Sequence, residues 1–508
     1  MEVLQKITVT VLLCVFAMTH ASPLETFLAP ELADCVNSLS SFAKTTVPKA
    51  SVSVLDIKQR ENAGGPIVED IAIDFAGTEV PLLETPEDIH MYCIKQFMWK
   101  EDIVRWEDYN ITKTDKDLVN GLLESMMTPT GVKHSRIKRQ SVTPPTGRRT
   151  RREYRRISDG ERNAFHTVLQ TMKTNGQYNT FANLHQGIVT TSAHNGPNFL
   201  GWHRVYLALF EEAIRRINGQ VSLPYWETTL DFDMVNPATT IVFSPAFFGN
   251  GDGRVITGPF ANWVTPIGPL TRNIAGRSTL FTKANIRSIL TRCRTREITS
   301  PTALPQFNFE SFHNGPHVWV GGQMSGLDSS AHDPVFFIFH AFIDYVWELF
   351  RIHQINDCRV DPSIDYPPVT REHAATRPMD GLTDYRNIDG YRSYWTQNWY
   401  DYERAPSCPN CNSPYLRCDT ARSVCVSLQR TLAADEPATF DRMAIFEDGT
   451  AANSRVAQAI ADVAMLTIGP QFNGPPDEPR TQMGQARLSR MGSNVPIVPS
   501  YVADRTAG

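Results

Sequence analysis

Between residues 157 and 358 apolar side chains recur at the three- and four-residue intervals that line one face of a helix. Ser158 and Asp159 stand ahead of Ala164, Phe165, Val168, Leu169 and Met172, which predicts a capped amphipathic helix. Residues 198–217 and 334–355 are more apolar, and helices of that kind belong in the centre of a bundle. The second opens with Asp333 as cap and Pro334 at the first helical position, where a missing N–H costs nothing. Strand signals are short and scattered, as at 221–226. The pattern predicts a mainly α domain with short β additions. Beyond 435 the chain turns rich in Pro, Gly, Ala and polar residues and reads as a largely flexible tail with one helix around 455–466.

At 508 residues the chain exceeds one ordinary core, so two or three domains are expected, one of them dominant. Composition, 41% hydrophobic and 20% charged, is that of a soluble globular protein, and no nucleic-acid partner is expected. Lys6, the apolar run 7–18 and Thr19-His20-Ala21 read as a secretory signal, residues 1–21. That run is well short of the ~20 residues a spanning helix needs. No later stretch spans either, so the mature chain is expected to be secreted and extracellular, without a membrane span.

Cys14 falls within the signal, leaving eight cysteines, an even number as an oxidised framework requires. Cys408, Cys411, Cys418 and Cys425 could hold zinc, but outside the cell a disulfide knot is the stronger reading. Proximity favours pairing Cys35 with Cys93 and Cys293 with Cys358. Asn110-Ile111-Thr112 is a glycosylation sequon. Residues 22–132 hold 19 acidic and nine basic side chains, whereas 133–156 hold ten basic ones against Glu153 alone. Within the basic stretch, Arg136-Ile137-Lys138-Arg139 has the form cut by secretory convertases. The expected organisation is a signal peptide (1–21), an acidic N-terminal extension or pro-region (22–139), an exposed basic linker (140–156), a main domain (157–400), a cysteine-rich knot (401–430) and a tail (431–508).

Six of the 13 histidines fall into two triplets: His185, His194 and His203, nine residues apart at each step, and His313, His317 and His340. His203 and His340 lie in the apolar helices, where an imidazole needs a partner. A single such histidine is more often satisfied by a backbone carbonyl; six together point to metal. His313 and His317, at i and i+4, share a helix face about 5–6 Å apart at Cβ, and Pro316 would sit in the first helical turn. Neutral imidazoles suit copper, zinc, iron or nickel, but zinc hydrolases and the iron facial triad commonly add a carboxylate. Three imidazoles per ion, twice, favour a copper pair.

His194 with Asn195-Gly196-Pro197, Trp202-His203-Arg204 and Leu223-Pro224-Tyr225-Trp226 resembles the first copper region of the tyrosinases. His313-Asn314-Gly315-Pro316-His317-Val318-Trp319-Val320-Gly321-Gly322, then Asp333-Pro334-Val335-Phe336-Phe337 up to His340 and Asp344, resembles the second. The likeness covers roughly 154–358 plus the cysteine knot, and it looks closest to secreted invertebrate forms, including mollusc mantle and shell-matrix proteins. The resemblance implies a central four-helix bundle holding a dicopper site, with two copper ions per chain. His185, His194 and His203 would bind the first and His313, His317 and His340 the second, with His166 the competitor for His185.

It also implies O2 and phenolic or catecholic substrates, protein tyrosines among the candidates, with o-quinones as products that could cross-link or pigment a secreted matrix. Asn314 would be catalytic, holding a water that deprotonates a phenol. By its own position, one turn after His340, Asp344 is the candidate to orient a ligating imidazole, with a structural or surface role as the alternative. Phe336, Phe337 and Phe339 would wall the site. Leu304 occupies the spacing where the family often carries the acid that accompanies Asn314, with Glu310 nearby, so catechol oxidation is better supported than monophenol hydroxylation. Ser192 stands where some members carry a cysteine linked to a histidine, so no thioether is expected. Two other readings stay open: haemocyanin-like oxygen binding, and a catalytically weak copper-binding matrix protein.

Overall fold

Ser158 starts its helix with a full capping box: its hydroxyl accepts from the Glu161 N–H, and the Glu161 carboxylate accepts from the Ser158 N–H at 2.9 Å. A computed structural model of the chain describes Cys93 and residues 112–127, 144, 146–276 and 278–430, all within one unit spanning 28–431. The signal peptide, Cys35, Asn110, the Arg136 to Arg139 sequence and the tail lie outside the described residues.

Eight helices carry the argument: α1 (Lys113–Met127), α2 (Asp159–Thr174), α3 (Gln177–Leu184), α4 (Ile188–Ala193), α5 (Asn198–Ile217), α6 (Lys283–Leu290), α7 (Phe309–Val320) and α8 (Val335–Asn356). α5 and α8 are the two apolar helices expected from the sequence, and they pack against each other at the centre. Phe210 of α5 stacks on Phe337 of α8 with centroids 3.6 Å apart. Pro334 stands at the cap position of α8; the Asp333 carboxylate before it accepts from the Val335 N–H at 3.0 Å while pairing twice with the buried Arg272.

Several expectations change. The strand expected at 221–226 reduces to an isolated bridge between Tyr225 and Glu153, because Leu223 N donates to the Glu211 side chain and Pro224 has no N–H. Pro316 lies inside α7 rather than in its first turn, since Asn308 caps the helix further upstream by accepting from Ser311 N. Gly315 before it is explained by close approach: a Cβ there would meet the Thr279 carbonyl at 2.6 Å.

The basic stretch is not an exposed linker where it is described. Arg149, Arg151 and Arg155 are buried. β1 (Arg149–Arg151) pairs in parallel with β2 (Tyr400–Tyr402) and sets the Arg151 guanidinium between Glu211 of α5 and Asp344 of α8. Arg149 pairs with Glu212, Arg151 with Glu211, and Arg155 with Asp231 and Glu153. A run of like charge can be buried there because each cation meets an acid that is also out of water.

Disulfides join Cys293 to Cys358, Cys408 to Cys418 and Cys411 to Cys425. The last two staple the hairpin of β3 (Leu416–Asp419) and β4 (Val424–Ser427), so the cysteine cluster is a knot and not a zinc site. Cys93 is disulfide-bonded, to a partner outside the described residues. No helix among the described residues is long and apolar enough to cross a membrane.

Candidate metal centre

Each histidine of the two triplets is delivered by a helix or by its end. His185 is the C-terminal cap of α3 and His194 that of α4, while His203 lies within α5. His313 and His317 share α7, and His340 lies on α8. No ring is more than 3% exposed. In the first triplet, His185 Nε2 lies 3.0 Å from His194 Nε2 and 3.2 Å from His203 Nε2. In the second, the three Nε2 atoms lie 2.9 to 3.1 Å apart. The sets face each other, with the rings of His203 and His340 stacked at 4.4 Å.

The other ring nitrogen decides what these contacts are. His203 Nδ1 donates to the Phe199 carbonyl at 2.8 Å and His317 Nδ1 to the Met324 carbonyl at 2.9 Å. His313 Nδ1 donates to Asn314 Oδ1, and His194 Nδ1 to Glu310 Oε1, each at 3.0 Å. These oxygens carry no proton to give, so each ring holds its hydrogen on Nδ1 and turns a bare Nε2 inward. Burial favours the neutral ring in all six, taking His194 down to about 3. The bare Nε2 lone pairs of His313 and His317 meet at 2.9 Å and repel unless a cation lies between them. The first triplet repeats the same convergence of three buried ring nitrogens. The donor set therefore fits two metal ions, one per triplet, each bound by imidazole alone.

The remaining candidates divide. His166 is outside both triplets: its Nε2 and the Tyr154 hydroxyl share a hydrogen bond of 2.6 Å in the core. Asp344, expected to orient an imidazole, does not. It accepts from Arg204 at 2.7 Å and from the Tyr400 and Tyr402 hydroxyls at 2.6 Å each. His340 Nδ1 has no hydrogen-bond partner among the described residues. The buried charges beneath α8 claim the aspartate first.

Phe336 stacks on His340 at 4.0 Å and Phe339 on His313 at 5.6 Å, so both wall the site, whereas Phe337 belongs to the core. Asn314 is buried beside His313. Sequence reasoning placed Glu310 only near the site; it accepts from both His194 Nδ1 and Asn195 N. Its place one turn before His313 on α7 was the available signal. Asp328 and His332, which bond Gly187 and Gln186 just after His185, carried none. Gly196 is also explained: the His373 ring occupies the space a Cβ would need, 2.5 Å away.

Residues 175–353 match the family model described as the common central domain of tyrosinase. The chain is 43% identical over 360 residues to a tyrosinase-like protein of Pinctada maxima, covering 64% of this chain and 76% of that protein. It is 42% identical over 360 residues to tyrosinase-like protein 2 of Margaritifera margaritifera, with the same coverage of 64% and 76%. A tyrosinase of Streptomyces glaucescens is 30% identical over 224 residues, 38% of this chain and 78% of that protein.

Proposed function

This chain belongs to the tyrosinase family, and from that premise we propose that it oxidises phenols or catechols to o-quinones with O2. Family and histidine triplets fit a binuclear copper site in a copper oxidase or an oxygen-binding protein. The observation that carries the copper-pair reading is the donor set: two facing triplets of imidazole, with no carboxylate or thiolate among the converging atoms. That set suits a redox pair rather than hydrolytic zinc. His185, His194 and His203 would hold one copper and His313, His317 and His340 the other.

When bound, the copper pair supplies the redox chemistry between substrate and O2. For a catechol, two substrate molecules and one O2 give two quinones and two waters; for a monophenol, one substrate and one O2 give one quinone and one water. The chain's own share is to orient and to exclude. Phe336 and Phe339 keep water from the imidazole faces. Asn314, beside His313, is read as the group that holds the water taking a phenol's proton, and Glu310 keeps the His194 ring turned inward.

Disulfides at Cys293, Cys358 and the knot suit an oxidising, extracellular setting, where quinones formed on protein tyrosines would cross-link a secreted matrix. The burial of all six rings favours a second reading, an oxygen carrier, because a closed site admits O2 more readily than a phenol. Copper content and catechol turnover on the loaded protein decide: turnover supports the oxidase, and reversible O2 uptake with no quinone selects the carrier.

A further inference from the structure

His185 ends a helix and is followed at once by a turn, so its own helix does not fix where its ring points. The turn is held from the other half of the site. Gly187 N donates to Asp328 Oδ1 at 3.1 Å, and the Gln186 amide donates to His332 Nε2 at 2.9 Å. More than two helical turns before them, the Tyr178 hydroxyl donates to the Ala331 carbonyl at 2.9 Å. Three contacts thus tie α3 and its exit to residues 328–332. That segment is itself anchored: it leads directly into Asp333, which is locked to Arg272 by two hydrogen bonds, and into α8 with His340. Asp328 and His332 are both buried. Gly187 has φ 60 and ψ −128, a backbone state open to glycine, which lets the chain reverse into α4 with its N–H aimed at Asp328.

We propose that Asp328 and His332 are positioning residues that clamp the 185–187 turn and so aim His185 at its triplet. Neither touches a converging nitrogen; both act through the neighbours of His185. The clamp makes occupancy of the first triplet depend on a segment that belongs to the second half of the site. In the second triplet two of the three histidines share α7 and the third lies within α8, so their rings are carried by helices and not by a turn held from elsewhere. This inference rests on the reading of His185 as a metal ligand.

The test is copper(I) titration of the full, metal-stripped chain against a competing chelator, with near-ultraviolet circular dichroism on each variant. Asp328→Ala and His332→Ala are expected to weaken one of the two copper affinities about ten- to a hundredfold and to leave the other unchanged, the usual cost of losing support behind a ligand. Asp328→Asn, which keeps an oxygen for the Gly187 N–H, is expected to restore the weakened affinity. Should His332→Ala fail to fold, the two Asp328 variants still decide. Unchanged affinity at both sites in Asp328→Ala, or an equal loss at both, overturns the clamp. His185→Ala separates the two ideas: if it retains both coppers tightly, the ligand reading itself is wrong, and the clamp falls with it.

Discussion

An imidazole whose Nδ1–H is spoken for can serve a metal with its other nitrogen, and at this scale the site is decided ring by ring. His340→Ala is expected to remove one copper per chain and essentially all oxidation, since two imidazoles remain where three converged; metal analysis with turnover checks it. Asn314→Ala is expected to cut monophenol hydroxylation much more than catechol oxidation, read as the ratio of the two rates, because only the first needs the phenol proton held away. His166 gives a test free of metal. Burial, with the Arg162 guanidinium second, holds its ring down to about 3 against an ordinary 6.5. Above pH 6.5 both folded and unfolded chains keep it neutral. As pH falls from there toward 3 the unfolded chain takes a proton that the folded one refuses, so stability drops about 1.4 kcal/mol per pH unit for this group. His166→Gln is expected to flatten the curve by that amount between about pH 6 and pH 4 in denaturant titrations at each pH. The six histidines were legible because spacing and apolar context are local facts. The partnership of His194 with Glu310 crosses 116 residues and leaves no spacing to read.

Helices were the legible elements: α2, α5 and α8 stand where cap and apolar pattern put them. What the pattern hid was the traffic between elements. A run of arginines before α2 has the composition of a solvated linker, and only the acids of α5 and α8, far along the chain, turn β1 into a buried wedge. Buried donors of the same kind explain why Asp344, well placed on α8 to serve an imidazole, instead serves Arg204 and the Tyr400 and Tyr402 hydroxyls. Position on a helix gives a direction, but which neighbour wins the carboxylate depends on segments distant in sequence on both sides of it. Arg151 is fully buried, donates to Glu211 at 2.8 and 2.9 Å and to the Tyr402 hydroxyl, and lies 3.7 Å over the Tyr400 ring. Arg151→Met strands Glu211 without that partner in a dry interior, and a loss of about 3–5 kcal/mol is expected in equilibrium unfolding by urea. Replacing the exposed Arg148, whose ion pair with Asp401 is open to water, is expected to cost under about 1 kcal/mol by the same measurement.

Across the whole molecule, the acidic N-terminal region is not fully separate from the main domain. Val119, Leu122 and Leu123 of α1 are buried in the same core as α3 and α5, and the Thr180 hydroxyl donates to Asp115. Three such side chains represent on the order of 5 kcal/mol of apolar burial. A chain cut between Arg136 and Arg139 is therefore expected to keep its N-terminal fragment through native gel filtration and to release it only on unfolding. Elution of the fragment alone would show that α1 is shed. The composition shift near residue 133 was plain in the sequence, but composition marks where charge changes and not where packing ends. The disulfide between Cys293 and Cys358 spans 65 residues, and His313, His317 and His340 all fall inside the loop it closes. Such a closure removes about 4 kcal/mol of freedom from the unfolded chain. It also keeps three imidazoles in one tethered volume after every helix has melted. The denatured, oxidised chain is then itself a chelator of raised effective concentration. Copper that binds this state stabilises it too, so loading the metal raises the unfolding midpoint by less than its affinity for the folded site alone would give.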